Sequence, residues 1–347
     1  VVEPGARGFA SDNAATVHPA VLEAIARVNV GHAFGYGHDP YTEGVQRRLA
    51  EALGAPEAAV FFVFNGSGAN VLSLRAALRP SEAVIVSANA HLHTDEAGAP
   101  EAVAGAKLLI GETHAGKLTV DGLACLVAAP NDEHAVRPGL VSLTQSTELG
   151  TVYGLDELRE VVAVARDGGL RVHVDGARFA NAAAALGVSL AELAQAAGAD
   201  LLSFGGTKNG LMLGEAVVVF DPELVEGMAH LRKQTLQLAS KMRFVAAQFD
   251  ALLDGDLWLQ NAAHANSMAA RLYSAVKDIK GLQMVREPSV NAVFATLPRA
   301  ARERLQQQFD FYEWDHLTGE VRWMCSWDTT ADDVDRFAGA LRAAMGG

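Results

Sequence analysis

The stretch Leu170-Arg171-Val172-His173-Val174-Asp175-Gly176-Ala177-Arg178 decides the fold. Its apolar, β-branched beginning reads as a buried strand over Leu170–Val174, and the small residues after Asp175 read as a turn into a helix. A carboxylate at the C-terminal end of such a strand, with an arginine three residues on, stands where open α/β sheets bind ligands. That carboxylate suits a metal, a ribose hydroxyl or a protonated ring nitrogen. The plainer alternative is a helix N-cap followed by an exposed arginine.

Working outward, further short apolar runs predict strands at Ala59–Phe64, Ala83–Ser87, Lys107–Ile110, Gly139–Thr144, Asp200–Phe204 and Glu215–Phe220. Helical patterns lie between them, as in Leu155–Arg166 with Leu155, Leu158, Val162 and Ala165 on one face. This alternation predicts an α/β domain around a mainly parallel seven-stranded sheet. Asp39-Pro40 supplies an N-cap and a first-turn proline, and Ser189 to Glu192 forms a capping box. After Phe220 the pattern becomes long helices over Pro222–Leu253 and Asp256–Ile279. A strand at Asn291–Leu297, a helix at Arg299–Phe309, a strand at Val321–Cys325 and a closing helix from Thr330 follow. Asp254-Gly255-Asp256 interrupts the helices. The expected organisation is therefore a large domain over residues 1–254 and a smaller α+β domain over 255–347.

Composition bounds the function. The 347 residues are 50% hydrophobic and 20% charged, ample for a packed core. A net charge of −13 repels phosphate backbones and anionic lipid, so nucleic-acid and membrane partners are disfavoured. Cys125 and Cys325 are too few and too far apart for a disulfide framework or a zinc site, so no metal is expected. No apolar stretch is long enough to span a bilayer, and the beginning from Val1 has no signal-peptide pattern. The expected location is the cytoplasm.

Two more strand ends carry chemistry. Phe62-Val63-Phe64-Asn65-Gly66-Ser67-Gly68-Ala69-Asn70 precedes a helix, and Gly66, Ser67 and Gly68 let backbone amides approach an anion at its positive end. Read blandly, it is an ordinary βα turn. A dinucleotide fingerprint fits poorly, because Val71 holds the third glycine position. Asp200-Leu201-Leu202-Ser203-Phe204-Gly205-Gly206-Thr207-Lys208-Asn209-Gly210 places a lysine in a glycine-rich turn. Desolvation there makes its amine nucleophilic, unless it is merely a solvated turn lysine. A phosphate cradle, a strand-end aspartate and a loop lysine 33 residues later together match the needs of pyridoxal phosphate. These are an anion site, a partner for the pyridine nitrogen and a Schiff-base amine.

With these motifs in place, the sequence resembles the pyridoxal-phosphate-dependent threonine aldolases of the aspartate-aminotransferase-like fold (fold type I). The resemblance rests on His173 to Asn181 and Ser203 to Gly210 and covers nearly the whole chain from Ser11. It is strongest toward the low-specificity L-threonine and phenylserine aldolase branch. It implies that Lys208 forms the Schiff base, Asp175 pairs with the ring nitrogen, and His91 stacks on the ring. It also implies carboxylate binding by Ser11, Arg178 and Arg322, an active-site Tyr36, and Arg243 reaching the phosphate across a subunit interface. A homodimer or homotetramer is therefore expected, acting on a β-hydroxy-α-amino acid.

One departure concerns the base that takes the substrate hydroxyl proton. Gln145-Ser146-Thr147-Glu148 stands where relatives carry a histidine, and Thr147 is read as that position, facing the hydroxyl. A threonine cannot act as the base, so His91 is assigned to the proton, with Glu148 or the cofactor phosphate as alternatives. His93 and Glu96 are read as supporting residues, His134 as a loop residue, and Trp314 and Trp327 as small-domain core. The expected reaction is cleavage of L-threonine or L-allo-threonine to glycine and acetaldehyde. The rivals are phenylserine cleavage, β-elimination and, without pyridoxal phosphate, a nicotinamide-dependent dehydrogenase.

Overall fold

Seven strands form the central sheet of the computed structural model, which describes residues 7–128 and 132–346. They are β1 (Ala59–Val63), β2 (Glu82–Ser87), β3 (Lys107–Gly111), β4 (Arg137–Thr144), β5 (Arg171–Gly176), β6 (Leu201–Gly205) and β7 (Glu215–Val219). Their order across the sheet is β1-β7-β6-β5-β4-β2-β3. All neighbours run parallel except where β7 pairs with β1 and β6. Strands β2, β6 and β7 are buried along their whole length, as expected of a sheet covered on both faces. The α/β reading holds strand for strand.

Register places the chemistry. Thr144 of β4 is level with Asp175 of β5, which is level with Ser203 of β6, so three central strands end together. Helix punctuation follows local chemistry. The Asp39 carboxylate accepts the Thr42 N–H at 2.9 Å, and the Ser189 hydroxyl accepts the Glu192 N–H at 3.1 Å.

The stretch expected as one helix over Pro222–Leu253 is broken. A short 3₁₀ turn, Pro222–Leu224, is followed by helices at Met228–Gln234 and Arg243–Leu253. Leu236 lies between them in the left-handed region, at φ 62°. The break gives Gln237 a tertiary role, because its Oε1 accepts the Phe64 N–H at 2.9 Å and its side chain lies against Gly68. A Cβ on Gly68 would sit 2.3 Å from that amide carbon, which explains the glycine.

A second sheet holds β8 (Gln283–Met284), β9 (Ala292–Thr296), β10 (Tyr312–Asp315) and β11 (Glu320–Met324) in the antiparallel order β8-β9-β11-β10. The sequence reading found β9 and β11 and missed the two edge strands. Trp323, Phe337 and Leu341 fill the core behind this sheet, and Phe9 joins them 4.5 Å from the Phe337 ring. The N-terminal segment is thus stitched to the C-terminal sheet, with Phe9 donating its N–H to the Asp310 carbonyl and accepting that of Met324. Helix Leu257–Val276 joins both cores: Trp258 and Ala262 pack with the large sheet, Ala269 and Leu272 with the small one. Among the described residues no helix is long and apolar enough to cross a membrane.

Candidate active site

The C-terminal ends of β4, β5 and β6 open into an inner cavity lined by Gly66, Asn70, His91, Thr144, Ser146, Glu148, Asp175, Ala177, Arg178 and Lys208. An outer cleft of about 590 Å³ continues it toward Ser11, Asp95, Tyr312, Trp314 and Arg322. Chemistry-bearing residues far apart in the chain meet here because parallel strands present all their C-terminal turns at one edge.

Asp175, 4% exposed, accepts the Asn70 side-chain amide at 2.8 Å through Oδ2 and the Ala177 N–H at 3.1 Å through Oδ1. Two residues earlier on the same face, His173 is fully buried between the hydroxyls of Ser142 and Ser203, at 2.8 and 3.0 Å. Burial pushes its pKa down to about 4, so it is neutral. Lys208 follows β6 in a 3₁₀ turn, and its pKa is lowered by burial first and by the Arg178 guanidinium second. Asp12, Asp175 and Glu215 oppose that shift. The result is an amine with more of its nucleophilic neutral form than a surface lysine has.

Helix Gly66–Ala77 begins at the cavity. The Asn65 side chain caps it by accepting the Gly68 N–H at 2.7 Å, and no atom lies within 4 Å of where a Gly66 Cβ would stand. An anion can therefore approach the amides of this first turn, which Ser67 shares. Asn70, one turn further in, bridges two carboxylates through its amide nitrogen, Asp175 and Glu96. Glu96 in turn meets His91 Nδ1 at 2.9 Å. That hydrogen bond is the largest cause raising the His91 pKa. Glu96 is thus a direct partner of His91, whereas His93 does not line either cavity.

Two arginines converge on the cleft. Arg178 makes a bidentate pair with buried Asp12, Nε to Oδ2 at 2.7 Å and Nη2 to Oδ1 at 2.8 Å. Burial pushes the Asp12 carboxyl up, but Arg178 and Lys208 overcome it and hold the pKa below its ordinary value. Arg322, on β11, lies 4.6 Å from the Trp314 ring centroid and 5.9 Å from that of Tyr312. Burial, with Arg178 adding to it, pushes its pKa down to about 10, and its Nε is buried without a partner. A desolvated cation beside a second cation favours an anionic ligand. Trp314 packs edge-on against Phe294 of the small sheet, as expected, and also forms a wall of the cleft. Ser11 lines the same cleft at the cap of the Asp12–Ala14 turn.

Ser67 and Gly68 line neither cavity, and three other expected residues lie elsewhere. Thr147 is turned away from both cavities: its hydroxyl bonds that of Thr151 at 2.7 Å, and the adjacent Glu148 faces the site. Beyond β4 the two-residue alternation of a strand no longer holds, and the reading fell one residue short. Tyr36 and Arg243 belong to a separate surface region, where Tyr36 donates its N–H to Ser240 and Arg243 bonds the Val30 and Gly31 carbonyls. Asn70 closes the glycine turn read from the sequence but was given no role there, and Gln237 lies in no motif that marks it.

A family model described as Beta-eliminating lyase matches residues 8–300. The low specificity L-threonine aldolases of Pseudomonas aeruginosa and of a Pseudomonas species are 43% and 42% identical over 97% of this chain, and 98% and 97% of their own lengths are covered. The solved structure of Leishmania major threonine aldolase matches with a TM-score of 0.92 at 32% identity, over 97% of this chain and 99% of that one. Agreement of this extent, in sequence from end to end and in fold, means that the chain belongs to the threonine aldolase family.

Proposed function

We propose that the protein is a pyridoxal-phosphate-dependent aldolase that cleaves L-threonine, L-allo-threonine and related β-hydroxy-α-amino acids to glycine and an aldehyde. The observation that carries this reading is the convergence of Lys208, Asp175, Arg178 and Arg322 on one connected cleft. The residues fit pyridoxal phosphate on the chain's own chemistry. Lys208 offers an amine of depressed pKa for the aldehyde, Asp175 a buried carboxylate for the ring nitrogen, and the helix start open at Gly66 an anion site. When bound, the cofactor supplies a conjugated ring that accepts the electron pair of the breaking Cα–Cβ bond.

The chain's part is positioning and charge. Asp175 holds a proton on the ring nitrogen, and Asn70 keeps that carboxylate in place. His91, held by Glu96, forms one wall of the ring site. Arg322 and Arg178 orient the substrate carboxylate with Ser11 beside them, while Tyr312 and Trp314 keep water from Arg322. Purified protein given pyridoxal phosphate and L-threonine is expected to release glycine and acetaldehyde in equal amounts. Ammonia with 2-oxobutanoate instead would place the chain among β-eliminating enzymes and overturn the aldolase reading.

The same reading takes Tyr36 and Arg243 to a neighbouring copy's site. Val30 and Phe34 beside Arg243 are 70% and 81% exposed, apolar surface that association covers. Light scattering of active protein is expected to give the mass of a dimer or tetramer. Full activity in a particle of one chain's mass, 36.5 kDa, excludes the shared site.

A further inference from the structure

We infer that Glu148, through its Oε2, is the base that takes the β-hydroxyl proton of the substrate, an assignment that rests on the aldolase reading. Four residues line both the inner cavity and the outer cleft: His91, Glu148, Arg178 and Lys208. This junction joins the lysine to the carboxylate-binding arginines, so the reacting bonds of a bound amino acid lie there. Arg178 is a cation stabilised by Asp12 and Lys208 is assigned to the cofactor, which leaves His91 and Glu148 for the proton.

Their hydrogen bonds separate them. Glu148 is held by one oxygen only: Oε1 accepts the His91 N–H at 2.7 Å and the Thr144 hydroxyl at 3.1 Å. Its Oε2 is buried with no partner, an acceptor in want of a donor. A substrate hydroxyl is such a donor. His91 already has its Nδ1 engaged by Glu96, and that hydrogen bond raises its pKa. Desolvation, then the Asp175 charge, pushes the Glu148 pKa up to about 7, in the range where a base accepts and releases protons readily near neutral pH. The charged and titratable groups facing Glu148 are Asp175 at the end of β5, Arg178 after it, Lys208 after β6, Tyr153 beyond β4 and His91 across the cavity.

The step balances on the substrate's own atoms. The hydroxyl proton passes to Oε2, and the O–H pair becomes the second C–O bond of the aldehyde. The Cα–Cβ pair remains with the glycine fragment, whose Cα takes up one proton. No oxidant, reductant or added water is consumed.

The test uses holoenzyme and two readouts. Glu148→Gln keeps the Oε1 contacts and removes the base. It should keep the wild-type visible cofactor band and bind glycine, which lacks the hydroxyl, with wild-type affinity by absorbance titration. Its kcat for threonine should fall on the order of 10²–10⁴, the range for a lost general base. The wild-type kcat should decline as pH drops through about 7, as Glu148 gains its proton, and that acid limb should vanish in the Gln variant. His91→Phe should keep the limb. If the Gln variant cleaves threonine at the wild-type rate, or if the limb disappears in His91→Phe and survives in Glu148→Gln, the assignment is wrong. Should the Gln variant lose the cofactor band, Glu148→Asp carries the test: its carboxylate, one methylene short, retains slow turnover with the acid limb, and its absence overturns the assignment. A wild-type protein that yields no glycine from threonine defeats the aldolase reading itself, a separate result.

Discussion

Replacing Lys208 with alanine is expected to remove turnover, by about 10⁴-fold or more, equivalent to ~5 kcal/mol of transition-state stabilisation. The lysine makes no side-chain hydrogen bond among the described residues and sits in a 3₁₀ turn that alanine adopts freely, so the fold should survive. What disappears is the desolvated amine at the end of β6. Wild-type protein incubated with pyridoxal phosphate and reduced with borohydride should carry the pyridoxyl group on the Lys208 peptide, and Lys208→Ala should carry none there. Circular dichroism checks that the variant is folded. Labelling of another lysine in active wild-type protein would show that the cofactor is anchored elsewhere. The acids around Lys208 give this prediction a further aspect. Asp12, Asp175 and Glu215 each favour its cation, yet burial and Arg178 prevail. Glu215 itself is pushed up to about 7 by burial, so its help to the cation weakens as it takes up a proton below that pH.

The strand ends bearing Asp175 and Lys208 were legible because an apolar run fixes the strand and a reactive residue just past it has one edge of the sheet to occupy. Residues that support the site were not. Asn70 lies inside a helix and reaches Asp175 across 105 positions, a contact no local periodicity encodes. The choice between Thr147 and Glu148 turned on which side chain points inward once the strand has ended, and only the tertiary path settles it. Phe9 shows the same limit in the core: its partners are Phe309 and Phe337, at the far end of the chain. The break within Pro222–Leu253 was hidden for a different reason. Leu231 and Leu238 keep helical spacing across the break, while the structure turns Gln237 to accept the Phe64 N–H instead.

Asp175→Asn separates charge from shape at the position where the sequence signal was strongest. The side chains are nearly isosteric, and an asparagine oxygen can still accept the Ala177 N–H that Oδ1 now accepts. On the Oδ2 side the result is worse. The Asn70 amide donates there at 2.8 Å, and with Asn70 also serving Glu96 at 2.9 Å it has little freedom to turn away from a new amide. The larger loss is electrostatic. A ring nitrogen keeps its proton in a buried site only against a negative partner, and removing one member of such a pair costs about 3–5 kcal/mol. Cofactor affinity should therefore fall by roughly 10²–10³-fold or more, and kcat at saturating cofactor should fall with it, because a ring without that proton accepts electrons poorly. Pyridoxal phosphate with the ring nitrogen replaced by carbon provides the control. It has no proton for Asp175 to hold, so the affinity penalty of the Asn variant should shrink toward zero with the analogue. An equal penalty with both molecules would mean that Asp175 serves the shape of the cavity through Asn70 and Ala177, and that the ring nitrogen is held by some other group.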